Sequence, residues 1–325
     1  MSEYYVNSEL RKLDFYSSNK GKRSLTMSLK IEQVTKRFGN FTAVDDLTLE
    51  IPEKRIFGFL GSNGAGKTTT FRMILGLIDA TEGKITWQGE PINYERTDQI
   101  GYLPEERGLY PKLSVRDQIV YLARLRGMDK KDAVVELEKW LERFEVPQNI
   151  DKKIEELSKG NQQKIQFISA VIHQPKLLIL DEPFSGLDPV NTEMMKDAVV
   201  DLKENGTSIV FSSHQMNTVE ELCEHLCIIQ EGKQVIHGSL KDVKRSFGKK
   251  NVFIHADFDL TFLKDLPGVV SQKITTDGCK IQIESEAISQ SVLEAVKSKG
   301  FVRRFALEEP SLNDIFIEKV GKSYA

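Results

Sequence analysis

At 325 residues, with 40% hydrophobic and 29% charged side chains, the chain has material for one large core and a smaller second one, so one to two domains is the expectation. A formal net charge of −3 from interspersed signs lacks the basic excess of proteins that live on phosphate backbones, which argues against a nucleic-acid partner. No run approaches the ~20 apolar residues that span a bilayer, and the polar opening MSEYYVNSELRKLDFYSSNK has no signal-peptide core, so a membrane role is expected only through a partner.

Residues 1–27 are expected to form a flexible extension: Tyr4, Tyr5, Phe15 and Tyr16 follow no period, and SSNKGKRS is linker-like. From Ser28 the pattern organises. LKIEQVTKRF alternates as a strand does, and Asp46 to Ile51 alternates again. Arg55 to Leu60 is a short apolar run suited to a buried parallel strand; the glycine-rich stretch Gly61 to Gly66 breaks it, and KTTTFRMILGLI reads as a helix. Leu103 to Arg107 is polar and irregular, whereas Ser114 to about Phe144 has apolar residues at helical spacing with charges between them. LLILDEP, SIVFSSH and LCIIQEGKQVIHG add strands, and the alternation of strands with helices predicts an α/β core with a largely parallel sheet over 28–245. A basic, glycine-containing stretch, KRSFGKK, marks a boundary. Beyond it, over 250–325, the order βαββαβ plus a last helix suits a small ferredoxin-like α+β domain. Cys223, Cys227 and Cys279 are too few for a disulfide framework, which fits a reducing compartment, and the four-apart pair Cys223 and Cys227 reads as buried small hydrophobes.

Gly61-Ser62-Asn63-Gly64-Ala65-Gly66-Lys67-Thr68, followed by Thr69, matches the P-loop pattern G-x-x-x-x-G-K-[ST] between an apolar strand and a helix. Glycines let the backbone wrap closely enough for successive N–H groups to face phosphate oxygens, and the helix that follows adds its positive end. Lys67 is placed to reach the β- and γ-phosphates, and the Thr68 hydroxyl to hold Mg²⁺. A second apolar run, Leu177 to Leu180, delivers Asp181 and Glu182 at a strand's carboxyl end, where open α/β sheets bind their ligands. Asp181 is the expected Mg²⁺ partner through water, and Glu182 the expected general base for the attacking water.

Five ordered motifs between about residues 29 and 240 resemble those of the ABC ATPases. Leu157-Ser158-Lys159-Gly160-Asn161-Gln162-Gln163 resembles the LSGGQ signature, Ser185-Gly186-Leu187-Asp188 the D-loop, His214 the switch histidine, and Phe38 in KRFG the ring that stacks on adenine. Taken singly each has a plainer reading: Phe38 as a core ring, Ser158 as a helix cap, His214 as an ordinary strand-end histidine. The resemblance implies a P-loop ATPase core with a helical subdomain over about 106–170. It also implies two copies meeting head to tail, with ATP between the P-loop of one and the signature of the other. Ser158 and the Gly160 backbone would face the γ-phosphate of the opposite subunit, His214 would contact the same phosphate, and Asp188 would link the two sites. The signature departs from the family at Lys159 and Asn161, and Glu105 stands where the family has a metal-facing glutamine.

GYLPEERGLYPKLSV and the ending EEPSLNDIFIEKV are similar to the ATPases of ABC-2-type exporters, bacterial systems that handle sodium, drugs, antimicrobial peptides or polysaccharide. That likeness implies a dimer with itself or a paralogous ATPase, a separate transmembrane subunit, and a cytoplasmic position at the inner face of the membrane. Arg107, Leu109 and Tyr110 are candidates for the docking surface. The competing expectation is a soluble ABC ATPase acting on ribosomes or DNA. Against it, there is one cassette rather than two, and no zinc insert or long coiled coil interrupts it.

Overall fold

The computed structural model describes residues 27–320 except Asn93 and Arg107, so residues 1–26 of the expected extension and the docking candidate Arg107 lie outside the described residues. Met27, read from the sequence as part of that extension, instead opens the first strand, β1 (Met27–Phe38), which turns into β2 (Phe41–Pro52). Alternation puts Leu29, Ile31, Leu47, Leu49 and Ile51 on one buried face. β3 (Ile56–Leu60) is buried at every position, the mark of a strand covered on both faces, and leads through the glycine-rich loop into α1 (Lys67–Ile74). β4 (Glu82–Trp87) and β5 (Glu90–Pro91) complete an antiparallel sheet in the order β2-β1-β4-β5. Sequence pattern alone does not mark β4, because Glu82, Gly83 and Lys84 are exposed and carry no apolar alternation.

β6 (Ile100–Leu103) corrects the reading of Leu103 as the start of an irregular stretch; Leu103 is buried and ends a four-residue edge strand too short to show a period. The long helical stretch is two helices, α2 (Val115–Leu125), capped by Ser114, and α3 (Lys130–Arg143), separated at Gly127. There follow α4 (Lys159–Val171), β7 (Leu177–Leu180), α5 (Pro189–Glu204), β8 (Ser208–Ser213), α6 (Met216–Leu222), β9 (His225–Gln230), β10 (Lys233–Ser239) and α7 (Leu240–Ser246). Six strands form the central sheet in the order β10-β9-β3-β8-β7-β6, with every neighbouring pair parallel except β9 and β10. The pleat divides its side chains between two cores. Leu178, Leu180, Ile209 and Phe211 face the helices, where Trp140, Phe144 and Phe167 meet at ring separations of 5.6–5.9 Å. Leu177, Ile179, Val210 and Phe57 face α1 and the antiparallel sheet.

The rest of the described chain builds a third sheet from β11 (Lys250–Ala256), β12 (Val269–Thr275), β13 (Gly278–Ile283) and β14 (Val302–Glu308), with α8 (Ile288–Lys297) ahead of β14. The segment read as a first helix is a 3₁₀ turn, Thr261–Asp265, too short to propagate an α-helix. Strand order β12-β13-β11-β14, with antiparallel neighbours throughout, is that of a ferredoxin-like sheet. It has its own core around Val252, Ile254, Ile281, Ile283, Val292 and Val296. The last helix, α9 (Leu312–Val320), leaves it: Leu312 and Ile315 are buried in the helix-side core of the first part, and the Leu312 N–H donates to Glu220 on α6. Asp314 ties the same helix back to the third sheet through Asn251 and Lys280, each at 2.8 Å. Cys223 and Cys227 are free and buried, as the sequence suggests, and so is Cys279.

Candidate functional site

The carboxyl ends of β3, β7 and β8 lie side by side in the central sheet, and the motif residues sit on them. At the end of β3 the loop turns into α1 at Gly66, whose φ of 106° lies in the left-handed region. A Cβ there would also stand 2.6 Å from the Ala43 carbonyl, so both conformation and space require glycine. Gly64 has φ 79° and open space where a side chain would be, which leaves one face of the loop clear for a ligand. Lys67 is buried, and its ammonium donates to the carbonyls of Gly61 (2.8 Å) and Ser62 (3.2 Å). Ser62 and Thr69 are half-buried, Asn63 exposed and Ala65 buried.

From β7 comes Asp181, fully buried, accepting from the Thr68 hydroxyl at 2.7 Å and the Ser212 hydroxyl at 2.5 Å. Ser212 in turn accepts from the Glu182 N–H at 2.8 Å. That bond helps to hold Glu182 at φ 50°, a conformation few non-glycine residues adopt and one that clusters at functional sites. One Glu182 oxygen lies 2.9 Å from Nδ1 of His214, just past the end of β8. The other is buried without a hydrogen-bond partner, 3.8 Å from the Lys67 ammonium. An orphaned carboxylate oxygen beside a buried cation is costly unless it serves a bound water or ligand. Lys67, Thr68, Asp181, Glu182 and His214 therefore form one contiguous cluster.

Glu105 stands two residues beyond β6, which pairs in register with β7; the Asp181 N–H donates to the Leu103 carbonyl at 2.8 Å. The Tyr102 hydroxyl is pushed up to about 12, chiefly by burial and then by the Asp181 and Glu105 carboxylates. Phe38 ends β1 with its ring half-exposed and the Lys36 ammonium 5.0 Å above it. Ser158 caps α4, accepting from the Asn161 N–H at 3.3 Å. Around Gly160, the atoms of the described residues within 4 Å of a built Cβ, apart from its own helix and chain neighbours, belong to Asn191 and Leu187. The signature-like glycine thus lies against the start of α5 rather than against its own P-loop. Asp188 caps α5 at an exposed position, and hydrogen bonds from Asn191 hold its carboxyl below the ordinary range.

Ser212 and Gln166 escape a motif reading, and Gln163, the last residue of the signature, makes a contact that the motif does not announce. Ser212 joins Asp181 to Glu182, and its one signal is a polar pair at the end of an otherwise apolar strand. Gln163 donates to the Pro183 carbonyl at 3.2 Å, connecting α4 to the loop after Glu182. Gln166, buried on α4, donates to the Pro104 and Glu106 carbonyls.

Comparison with known proteins agrees with this geometry. The family model "ABC transporter" matches residues 44–185, and the model "ATP-binding protein DrrA1-3-like, C-terminal domain" matches residues 238–320. The chain is 65% identical to the "Uncharacterized ABC transporter ATP-binding protein YhaQ" of Bacillus subtilis over 91% of this chain and 99% of that protein. It is 33% identical to the "Bacitracin transport ATP-binding protein BcrA" of Bacillus licheniformis over 90% of this chain and 97% of that protein. A solved "ATP binding subunit of ABC transporter" superposes with a TM-score of 0.64 at 28% identity, covering 68% of this chain and 93% of the other. None of these is named for the ribosome or for DNA. With a P-loop, a buried acidic pair and a histidine in contact on one sheet edge, and with relatives matched along nearly their whole length, the chain belongs to the ATP-binding, ATP-hydrolysing subunits of ABC transporters.

Proposed function

We propose that this subunit binds ATP with Mg²⁺ between two head-to-tail copies and drives export through a separate ABC-2-type membrane subunit, working at the cytoplasmic face of the membrane. The observation that carries the reading is the division of the site. Lys67, Thr68, Asp181, Glu182 and His214 are in contact within one chain, whereas Ser158 caps the start of α4 and Gly160 beside it lies against Leu187 and Asn191. A second copy would supply the signature residues that its partner's P-loop lacks.

The residues suit the proposed cofactors. The open face at Gly64 and the amides at the start of α1 fit a triphosphate, and Phe38 presents a half-exposed ring for the base. Among the described residues no cluster of three or more His, Cys, Asp or Glu side chains makes a metal cage. Thr68 and Asp181 still offer two hard oxygens, with Glu105 two residues past the strand that pairs with β7, which suits a cation that keeps waters and shares phosphate oxygens. When bound, Mg²⁺ would offset charge on the phosphates. Lys67 would exchange its loop carbonyls for phosphate oxygens. Glu182 would take the proton of the attacking water through its unpartnered oxygen, with His214 fixing the other. Asp188 would carry contact between the two sites.

No helix among the described residues is long and apolar enough to cross a membrane, in keeping with a peripheral subunit. BcrA is named for bacitracin transport, and a 31%-identical relative from Cupriavidus metallidurans for Nod factor export, which supports outward transport here. The exposed Tyr110 and the half-buried Leu109 stand beside α2 as the docking candidates. We read 28–245 as the ATPase domain, with a helical subdomain over about 106–170, and residues from 250 onward as an accessory domain. The test is light scattering on Glu182→Gln with ATP in EDTA and sodium. A shift from monomer to dimer on ATP is expected; a monomer that binds ATP without dimerising overturns the paired site.

A further inference from the structure

The helix that begins at the signature also grips the loop that carries Glu105. Gln166 lies on α4 eight residues beyond Ser158, about 12 Å along the helix axis. It is 2% exposed, and its amide nitrogen donates to the Pro104 carbonyl and the Glu106 carbonyl, each at 3.1 Å. Those carbonyls flank Glu105 on either side, so both N–H groups of the amide are spent on one loop. The helix and the turn that follows it are fastened to β6 at two further points. The Ala170 carbonyl packs so closely on Gly101 that a Cβ there would lie 2.2 Å away, and Nε2 of His173 stands 3.1 Å from the Ile100 carbonyl.

A packing role does not account for Gln166. Among the described residues its amide oxygen is buried without a partner, a cost that methionine or leucine in the same space would avoid. What the amide adds is the pair of donated bonds, which tie the backbone on both sides of Glu105 to α4.

We propose that Gln166 is a positioning residue for Glu105: it holds that carboxylate on the metal side of the nucleotide site and ties its placement to the helix that presents Ser158 to the other subunit. The inference rests on the proposed reading of Glu105 as facing Mg²⁺. Gln166 touches neither nucleotide nor metal and acts through the Pro104–Glu106 backbone. Displacing α4 along its axis would therefore move Glu105 in the same chain, so the two ATP sites of a dimer would sense each other's occupancy through α4 as well as through Asp188.

The test compares wild type, Gln166→Met, Glu105→Ala and the double variant by calorimetric titration with AMP-PNP, once with Mg²⁺ and once in EDTA. The readout is the gain in affinity that the metal confers, independent of turnover. Loss of an outer partner of a metal ligand costs roughly 10-fold or more, so Gln166→Met is expected to cut that gain by roughly 10-fold with the affinity in EDTA unchanged. Glu105→Ala should cut the gain to a similar extent, and the double variant should lose no more of it than either alone. Gln166→Asn, which keeps the amide but withdraws it by one methylene, should match Gln166→Met and serves if that variant fails to fold. If Glu105→Ala loses the gain while both Gln166 variants keep it, the positioning role is overturned and the metal reading stands. If Glu105→Ala keeps the gain, both fall.

Discussion

Replacing Glu182 by glutamine should separate binding from hydrolysis, and the geometry gives both directions. The Glu182 carboxylate lies 3.8 Å from the Lys67 ammonium, with both side chains more than nine-tenths buried. At an effective dielectric near 20, that separation corresponds to an attraction of about 4 kcal/mol. Before nucleotide binds, much of this is offset by the desolvation of both groups. A triphosphate must draw Lys67 away from this partner and also approach the carboxylate itself. Glutamine removes the opposing charge, so ATP in EDTA should bind more tightly, by about 1 kcal/mol or roughly fivefold once the offsets are allowed for. Loss of the general base should lower turnover by about 10²–10⁴-fold, or about 3–5 kcal/mol in barrier. Phosphate release at saturating Mg-ATP reads the second effect, and equilibrium binding of a fluorescent ATP analogue in EDTA reads the first. Wild-type turnover would refute the assignment of Glu182. Weaker binding would refute the account of Lys67 as held by a competing carboxylate.

Ser212→Ala removes the hydroxyl that accepts from the Glu182 N–H and donates to Asp181, leaving a buried donor unpaired. A loss of about 1–3 kcal/mol in chemical denaturation is expected, with turnover down more than the unfolding predicts; wild-type values in both would show the link is dispensable. Gly101→Ala would place a methyl 2.2 Å from the Ala170 carbonyl and 2.8 Å from Leu178, forcing α4 off β6. This overpacking should cost about 1–3 kcal/mol, seen as a lower melting temperature. Asp314→Asn tests the anchor of α9. Burial works to raise the Asp314 carboxyl, but hydrogen bonds from Lys280, Asn251 and Ser311 outweigh it and hold the group at about 2, below the ordinary 3.8. A depressed carboxyl stabilises the fold above its unfolded value, and the contribution disappears as pH falls through the folded one. Wild type should therefore exceed the asparagine variant by about 2 kcal/mol at pH 7, with the gap closing between about pH 4 and pH 2. A gap independent of pH in urea titrations would contradict the ionic account.

The phosphate loop was legible because its chemistry is local. Glycines at Gly64 and Gly66, then Lys67 and Thr68, are required by backbone conformation and by the ligand, whatever packs around them. The same holds for Asp181 and Glu182, placed by the short buried strand that precedes them, and the succession of the last four strands along the chain was legible from their local patterns. Elements with weak local signals were not legible. β4 has three exposed residues in a row, β6 has four residues, and the apolar period from Ser114 runs past the break at Gly127 that divides α2 from α3. Partnerships between distant segments were also out of reach. Ser212 is 31 residues from Asp181, Gln166 is 62 from Pro104, and Leu312 is 92 from Glu220. A period or a motif reports what a segment needs from its immediate neighbours. Which buried donor meets which acceptor is settled only when the sheet sets its strand order and α4 and α9 come to rest on it, so the cluster at Glu182, the grip of Gln166 and the return of α9 are properties of the tertiary structure.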